Sequence, residues 1–238
     1  MESREDAVHR MFEKLAPRYD LYNRCVSLYL DEYWRRKAVA SIAAGKRVLD
    51  IATGTGEMIF KLLQRKGWWG EAVGLDISQK MVQIAQQKLQ HFPLQPRQQV
   101  RFIQGKTRSL PFASNSFDYV MSAFAMRNVI DHLDLALSEM RRILVPGGNL
   151  IILEINKPLS SPLRQLYFLY MKTMFLLHGW LLYKEKTPFV YLKDSVTHFF
   201  EPEEFNQKIQ QAGFTDVQAL PLTLGFVWLH RARKDSRE

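Results

Sequence analysis

The stretch from Arg47 to Glu57, RVLDIATGTGE, limits the possible folds more than any other part of the chain. A short apolar run ends in Asp50 and gives way to a turn carrying Gly54 and Gly56, and helical character returns from Met58 to Leu63. This is the pattern of a strand, a tight glycine turn and the start of a helix. Glycine has no Cβ and helix starts present unpaired N–H donors, so such a turn brings backbone donors close to a ligand. A bound small molecule is expected, and the turn alone does not say which.

The pattern then repeats. Strands are expected at Val48 to Ile51, Ala72 to Leu75, Val100 to Gln104, Phe117 to Ala123 and Asn149 to Glu154, with helices over Met58 to Gln64, Gln79 to Gln90 and Asp134 to Ile143. Short apolar runs alternating with helical patterns predict an α/β fold with a mostly parallel sheet covered on both faces. A chain of 238 residues that is 47% hydrophobic supplies the core for one such domain. Ligands bind beyond the carboxyl ends of the central strands in these sheets. The candidate site therefore comprises Asp50 to Gly56, Asp76, Gln104 to Arg108 and Ser122 to Asn128.

The glycine turn lacks the third glycine of a dinucleotide fingerprint, since Ile59 stands there, which argues against NAD and FAD. Asp76 closes the second strand and is placed to accept hydrogen bonds from a ribose, so a nucleoside ligand is still expected. Gly105, Lys106 and Thr107 imitate the end of a phosphate-binding loop, but position 100 is valine where that motif requires glycine.

Ahead of the turn, Ser3 to Leu15 and Leu21 to Ala44 read as helices separated at Pro17. Val8, Met11, Phe12 and Leu15 form one apolar face at helical spacing, so these helices are expected to cap something. Trp34 followed by Arg35, Arg36 and Lys37 admits a phosphate or lipid contact, or a solvated face with one packed aromatic. The single cysteine, Cys25, excludes an internal disulfide, and the six histidines lack metal-ligand spacing, so no metal is expected. No window is apolar enough to span a bilayer and the start is charged, which predicts a cytoplasmic protein. The net charge of +9 suits an anionic surface but is dispersed, without the aromatic-basic patch of a nucleic-acid binder.

VLDIATGTGE, GLDIS with Met81 behind it, SLPFASNSFDYV and RRILVPGGNLIILE resemble class I S-adenosylmethionine methyltransferases. RYDLYN with Ser27 and Trp34, then MRNV, LEINKP, VYLKDSV, AGF and LTLGFVWLHRARK narrow the likeness to the UbiE/MenG-type quinone C-methyltransferases, over about Met11 to Lys234. The resemblance implies a Rossmann-like, mostly parallel seven-stranded sheet with an N-terminal helical cap over 1–44, a cofactor core over 45–157, a hydrophobic helical insertion over 158–200, and a closing helix and strands over 201–238. It implies C-methylation of a polyprenyl hydroquinone such as demethylmenaquinol, at or near the inner face of a membrane. Methylation of another lipophilic acceptor, or a non-catalytic subunit of a quinone-synthesis assembly, are the alternatives.

Carried onto this chain, the implied cofactor residues are Tyr19, Asp50, Ala52, Thr53, Gly54, Thr55, Gly56, Asp76, Ile77, Met81, Lys106, Thr107 and Ala123. Phe124, Met126 and Tyr191 are the implied substrate contacts, and Arg127 and Asn128 the implied catalytic pair. The alternative for Arg127 is a structural salt bridge with a helix carboxylate, and for Asn128 a helix N-cap or turn residue. The chain departs from the family pattern at Tyr29, where glycine is usual, at Ala123, Met126, Val145, Ile155 and Asn156, and at Lys106. An ammonium accepts no hydrogen bond, so Thr107 or backbone carbonyls would have to read the adenine in place of Lys106.

The insertion from Pro158 to Tyr183 is rich in aromatics, leucine and methionine yet interrupted by Arg164, Lys172 and His178. It reads as an amphipathic lid for an isoprenoid tail, or as a helix buried against the sheet or in a homodimer interface. Pro202 to Ala212 reads as a helix, and Phe214 to Leu220 and Leu224 to His230 as closing strands with one antiparallel member.

Overall fold

The computed structural model describes residues 4–93, 95, 98–157, 165, 169–170 and 187–237. Its centre is a seven-stranded sheet in the order β3-β2-β1-β4-β5-β7-β6. The strands are β1 Lys46–Ile51, β2 Gly70–Asp76, β3 Gln98–Gln104, β4 Phe117–Ala123, β5 Leu144–Ile155, β6 Phe214–Leu222 and β7 Val227–Lys234. Strand β7 runs antiparallel to both β5 and β6, and the pairs among β1 to β5 are parallel. The single expected antiparallel member is β7.

Helices cover both faces because neighbouring residues of the parallel strands point to opposite sides. Val48 joins Ala72, Met121 and Ile151 on one face, against Val39, Ile59, Leu62, Val82 and Ala85. These come from α3 Leu30–Val39, α4 Glu57–Leu63 and α5 Gln79–Gln90. Leu49 joins Val73, Val120 and Ile152 on the other face, against Leu137, Met140, Phe205 and Ile209. These belong to α6 Leu133–Ile143 and to a late helix, Pro202–Gln211.

The N-terminal segment differs from the expected pair of helices. It forms α1 Arg4–Leu15, then α2 Tyr19–Ser27, with α3 beginning at Leu30. The continuous helix expected over Leu21 to Ala44 is broken at Leu28 and Tyr29, whose φ angles of 51° and 62° are left-handed. The Tyr29 N–H donates to Arg24 O at 2.8 Å, ending α2. Helix α7 Thr187–Thr197 and α8 Pro202–Gln211 follow the sheet's fifth strand. The lid expected over 158–183 lies outside the described residues apart from Gln165, Leu169 and Tyr170. Among the described residues no helix is long and apolar enough to cross a membrane.

The sheet order reverses between β1 and β4, and the glycine turn leaves β1 at that point. Gly56, at φ 85°, has no room for a side chain: an added Cβ would lie 2.8 Å from Phe102 and 2.9 Å from Phe60. The turn is therefore pressed onto β3 and α4 and opens toward the crevice beyond the strand ends.

Candidate active site

Two cavities lie beyond the carboxyl ends of β1, β2 and β4. The smaller, of about 90 Å³, is lined by Ala52 and Gly54 of the turn, Asp76 and Ile77 after β2, Met81 of α5, Thr107, and Ala123 to Ala125 and Asn128 after β4. The larger, of about 400 Å³, is lined mainly by apolar side chains of α1, α2, α3 and the β7 start, with Arg127 and Tyr191. Phe12, Tyr19 and Phe124 line both. The apolar face of α1 roofs the pair: Val8 and Phe12 line the smaller cavity, and Met11, Phe12 and Leu15 the larger.

Asp76 holds the glycine turn from β2. One carboxylate oxygen accepts the Gly54 N–H at 2.8 Å and the other the Ser78 N–H at 2.8 Å. Burial pushes its carboxyl above the ordinary value although both N–H bonds favour the anion. Each oxygen retains a second lone pair for a ligand hydroxyl. Asp50 lies fully buried under the turn, where burial pushes its carboxyl up to about 7 against the Thr53 hydroxyl it accepts. Its other oxygen, Oδ1, is buried without a hydrogen-bond partner. Ala52 and Phe124 have left-handed φ angles of 52° and 61°, strain stored at the two strand ends that face the smaller cavity.

The break between the first two helices is fastened to the turn. Asp20 accepts the Thr55 hydroxyl and pairs with Lys88 at 2.7 Å, and Lys88 also reaches Glu57 at 2.6 Å. This network fixes Tyr19 between the cavities, where burial raises its phenol above the ordinary value. Glu13 of α1 accepts the Ser78 hydroxyl at the start of α5, closing the roof over the smaller cavity.

Arg127 is 6% exposed and forms a salt bridge with Glu154, which projects from the end of β5 and not from a helix. The same guanidinium nitrogen donates to Phe124 O at 2.7 Å. Glu154 also accepts the Met126 N–H at 2.8 Å and the Ile155 N–H at 3.0 Å, so it anchors the whole turn after β4. Burial opposes the charge of Arg127, but Glu154 and the nearby phenols hold its value above the ordinary one. The buried Nε of Arg127 has no hydrogen-bond partner. Asn128 lines the smaller cavity and accepts the Tyr191 hydroxyl at 2.8 Å. Arg127 and Asn128 thus point to the two sides of the shared wall, one into each cavity.

Not every expected contact reaches the cavities. Lys106 is exposed and outside both linings, and its carbonyl accepts the Ser109 N–H at 3.3 Å. Thr107 takes the place on the smaller cavity. Met126 is fully buried in the core beside Leu133 and Ala136 and not on the substrate side, because its backbone is pinned by Glu154. Thr53, Thr55 and Gly56 shape the turn from behind it. Trp34 is buried against the larger cavity with its indole N–H on Thr223 at 2.7 Å, leaving Arg36 and Lys37 outside. Glu154, Asp31, His9 and Val129 also form the site; Glu154 and Val129 lie in the stretches LEINKP and MRNV without a role legible there, and Asp31 and His9 stand in charged helical patterns.

Comparison with known proteins identifies the family and the fold. The model of the ubiE/COQ5 methyltransferase family matches residues 1–234. The demethylmenaquinone methyltransferase of Geobacillus kaustophilus is 36% identical over 235 residues, covering 98% of this chain and 99% of that protein. The Bacillus cereus (strain B4264) protein of the same name is 35% identical over 231 residues, with 96% of each covered. Among solved structures, a SAM-dependent methyltransferase from Thermotoga maritima has a TM-score of 0.65 at 20% identity, covering 95% of this chain and 99% of that one. A SAM-dependent methyltransferase from Aquifex aeolicus has a TM-score of 0.62 at 18% identity, covering 94% and 97%. With the fold shared and the sequence match running the length of the sheet and its helices, this chain belongs to the ubiE/COQ5 methyltransferase family.

Proposed function

We propose that this protein transfers a methyl group from S-adenosylmethionine to a ring carbon of a polyprenyl hydroquinone such as demethylmenaquinol. The observation that carries the reading is the shared wall of Phe12, Tyr19 and Phe124 between a small polar-edged cavity and a large apolar one. The residues of the smaller cavity fit the cofactor. Asp76 offers lone pairs to ribose hydroxyls; Asp50, buried beneath the turn and outside the lining, has an unpartnered Oδ1 that suits the methionine ammonium, directly or through a water. Ile77 and Met81 provide apolar flanks for the adenine, and Thr107 is the polar side chain beside them.

When bound, the cofactor supplies a methyl group on an electrophilic sulfonium. The protein's work is then positioning, holding the acceptor carbon about 3 to 3.5 Å from that methyl and in line with it. Arg127 supports the reaction through charge: its guanidinium, fixed by Glu154, lowers the cost of an oxyanion forming on the acceptor ring and so raises electron density on the neighbouring carbon. One preorganised donor of this kind is worth on the order of 10²- to 10³-fold in rate. Tyr191 holds Asn128 at the wall. The large cavity accepts the apolar ring system and the start of its tail.

Contact with a membrane surface belongs to the same reading. It is supported by the +9 charge and by Leu28, Tyr29 and Leu224, which are 64%, 62% and 72% exposed near the residues that line the large cavity. Methylation assays with demethylmenaquinol alongside other lipophilic phenols test the acceptor. The expected result is turnover of the hydroquinone at least about 100-fold above the others, since a few lost polar contacts cost that much discrimination; equal turnover would favour a different lipophilic acceptor.

A further inference from the structure

The larger cavity holds one carboxylate among its described lining residues, Asp31 on the first turn of α3. Asp31 is 4% exposed, and a charge buried that deeply beside an apolar chamber is costly without partners or a task. Its partners are few. Oδ1 accepts the Ser27 hydroxyl at 2.9 Å, while Oδ2 lies 3.7 Å from the Nε of Arg35, beyond hydrogen-bond length. That Nε is itself buried with no hydrogen-bond partner, and the Arg35 guanidinium sits 5.0 Å from the centre of the Phe124 ring. Phe124 is part of the wall toward the cofactor cavity, so Asp31 lines the same chamber as that wall and is tied to it through Arg35.

We propose that Asp31 is the proton acceptor for the hydroxyl of the methyl-accepting ring, a role that rests on the methyl-transfer reading above. The hydroxyl proton passes to the Asp31 carboxylate as the oxygen's electron pair pushes into the ring. The ring carbon forms its bond to the methyl group, and the pair of the broken S–CH₃ bond stays on sulfur as the neutral thioether. The methylated carbon then loses its C–H proton to water, the ring regains aromaticity, and Asp31 returns its proton to the oxygen. One proton is released per methyl transferred. The other charged or titratable groups that line this space among the described residues are the phenols of Tyr19, Tyr22, Tyr170 and Tyr191, and Arg127, which stabilises the oxyanion that Asp31 helps to form; Arg35 pairs with Asp31 from outside the lining.

The test is the pH dependence of kcat for Asp31→Asn, which keeps the shape and the Ser27 hydrogen bond, with Asp31→Glu as the variant that restores a carboxylate. We expect Asp31→Asn to lower kcat on the order of 10²- to 10³-fold at neutral pH, the usual worth of a positioned base, with the KM for S-adenosylmethionine unchanged. Its rate should climb about tenfold per pH unit as the hydroquinone ionises unaided, closing the gap to the wild type at alkaline pH. Asp31→Glu should recover part of the loss. A kcat within about 3-fold of wild type, or an equal loss at every pH, would overturn the assignment while leaving the proposed reaction standing. Wild-type protein that binds the cofactor yet methylates no hydroquinone would overturn both.

Discussion

Asp50 is buried beneath the glycine turn with one oxygen unpaired, and burial pushes its carboxyl up to about 7. An acid whose folded value lies above its ordinary one stabilises the fold at low pH, and that contribution is lost as pH rises through about 7. Near pH 8 the protein without cofactor therefore carries a buried, half-satisfied anion. Replacing it, as in Asp50→Asn, should stabilise the cofactor-free protein by about 3 kcal/mol at pH 8, and by much less at pH 5, while weakening cofactor binding. Thermal melts and cofactor titrations at both pH values check this; an unchanged melting temperature at pH 8 would contradict it. Glu154 behaves oppositely. Glu154→Gln leaves the Arg127 charge buried without its counter-ion and should cost about 3 to 5 kcal/mol in urea unfolding, as well as activity. Asp50, Asp76, Arg127 and Asn128 could be read from the sequence because each sits at the end of a recognisable strand. Glu154 also closes an expected strand, but its role could not be read there, because its partner lies 27 residues earlier in the chain and is brought near only by the pairing of β4 with β5. Lys106 illustrates the reverse, a residue in the right register whose side chain the structure turns to solvent.

At the scale of elements, the turn between α2 and α3 explains one departure from the family pattern. Tyr29 stands where glycine is usual, and its φ of 62° is the conformation glycine tolerates best. Tyr29→Gly should relieve strain worth about 1 kcal/mol, offset in part by the freer unfolded chain, so stability should hold or rise slightly. Chemical denaturation measures it, and a loss above about 1 kcal/mol would mean that the Tyr29 side chain contributes packing its exposure does not suggest. The amphipathic face of α1 was readable from its spacing, and so were the helices of the sheet layers. The break at Leu28 was not, because neither Leu28 nor Tyr29 signals a helix end; the left-handed pair closes α2 by returning its N–H groups to Cys25 O and Arg24 O.

For the whole molecule, the alternation of strands and helices predicted a parallel sheet with both faces covered. The order β3-β2-β1-β4-β5-β7-β6 places the glycine turn at the point where the strand order reverses. That placement sets the two cavities side by side beyond the strand ends, with three side chains lining both. The larger cavity was harder to foresee, because α1, α2, α3 and the turn before β7 contribute to it from opposite ends of the sequence. The most direct measurement supplies the wild-type protein with S-adenosylmethionine bearing a deuterated methyl group and with demethylmenaquinol in detergent, and then locates the label in the product by mass spectrometry and NMR. The two-cavity arrangement predicts label on a ring carbon and stoichiometric release of S-adenosylhomocysteine. Label on a hydroxyl oxygen, or cofactor binding with no transfer to the hydroquinone, would contradict it.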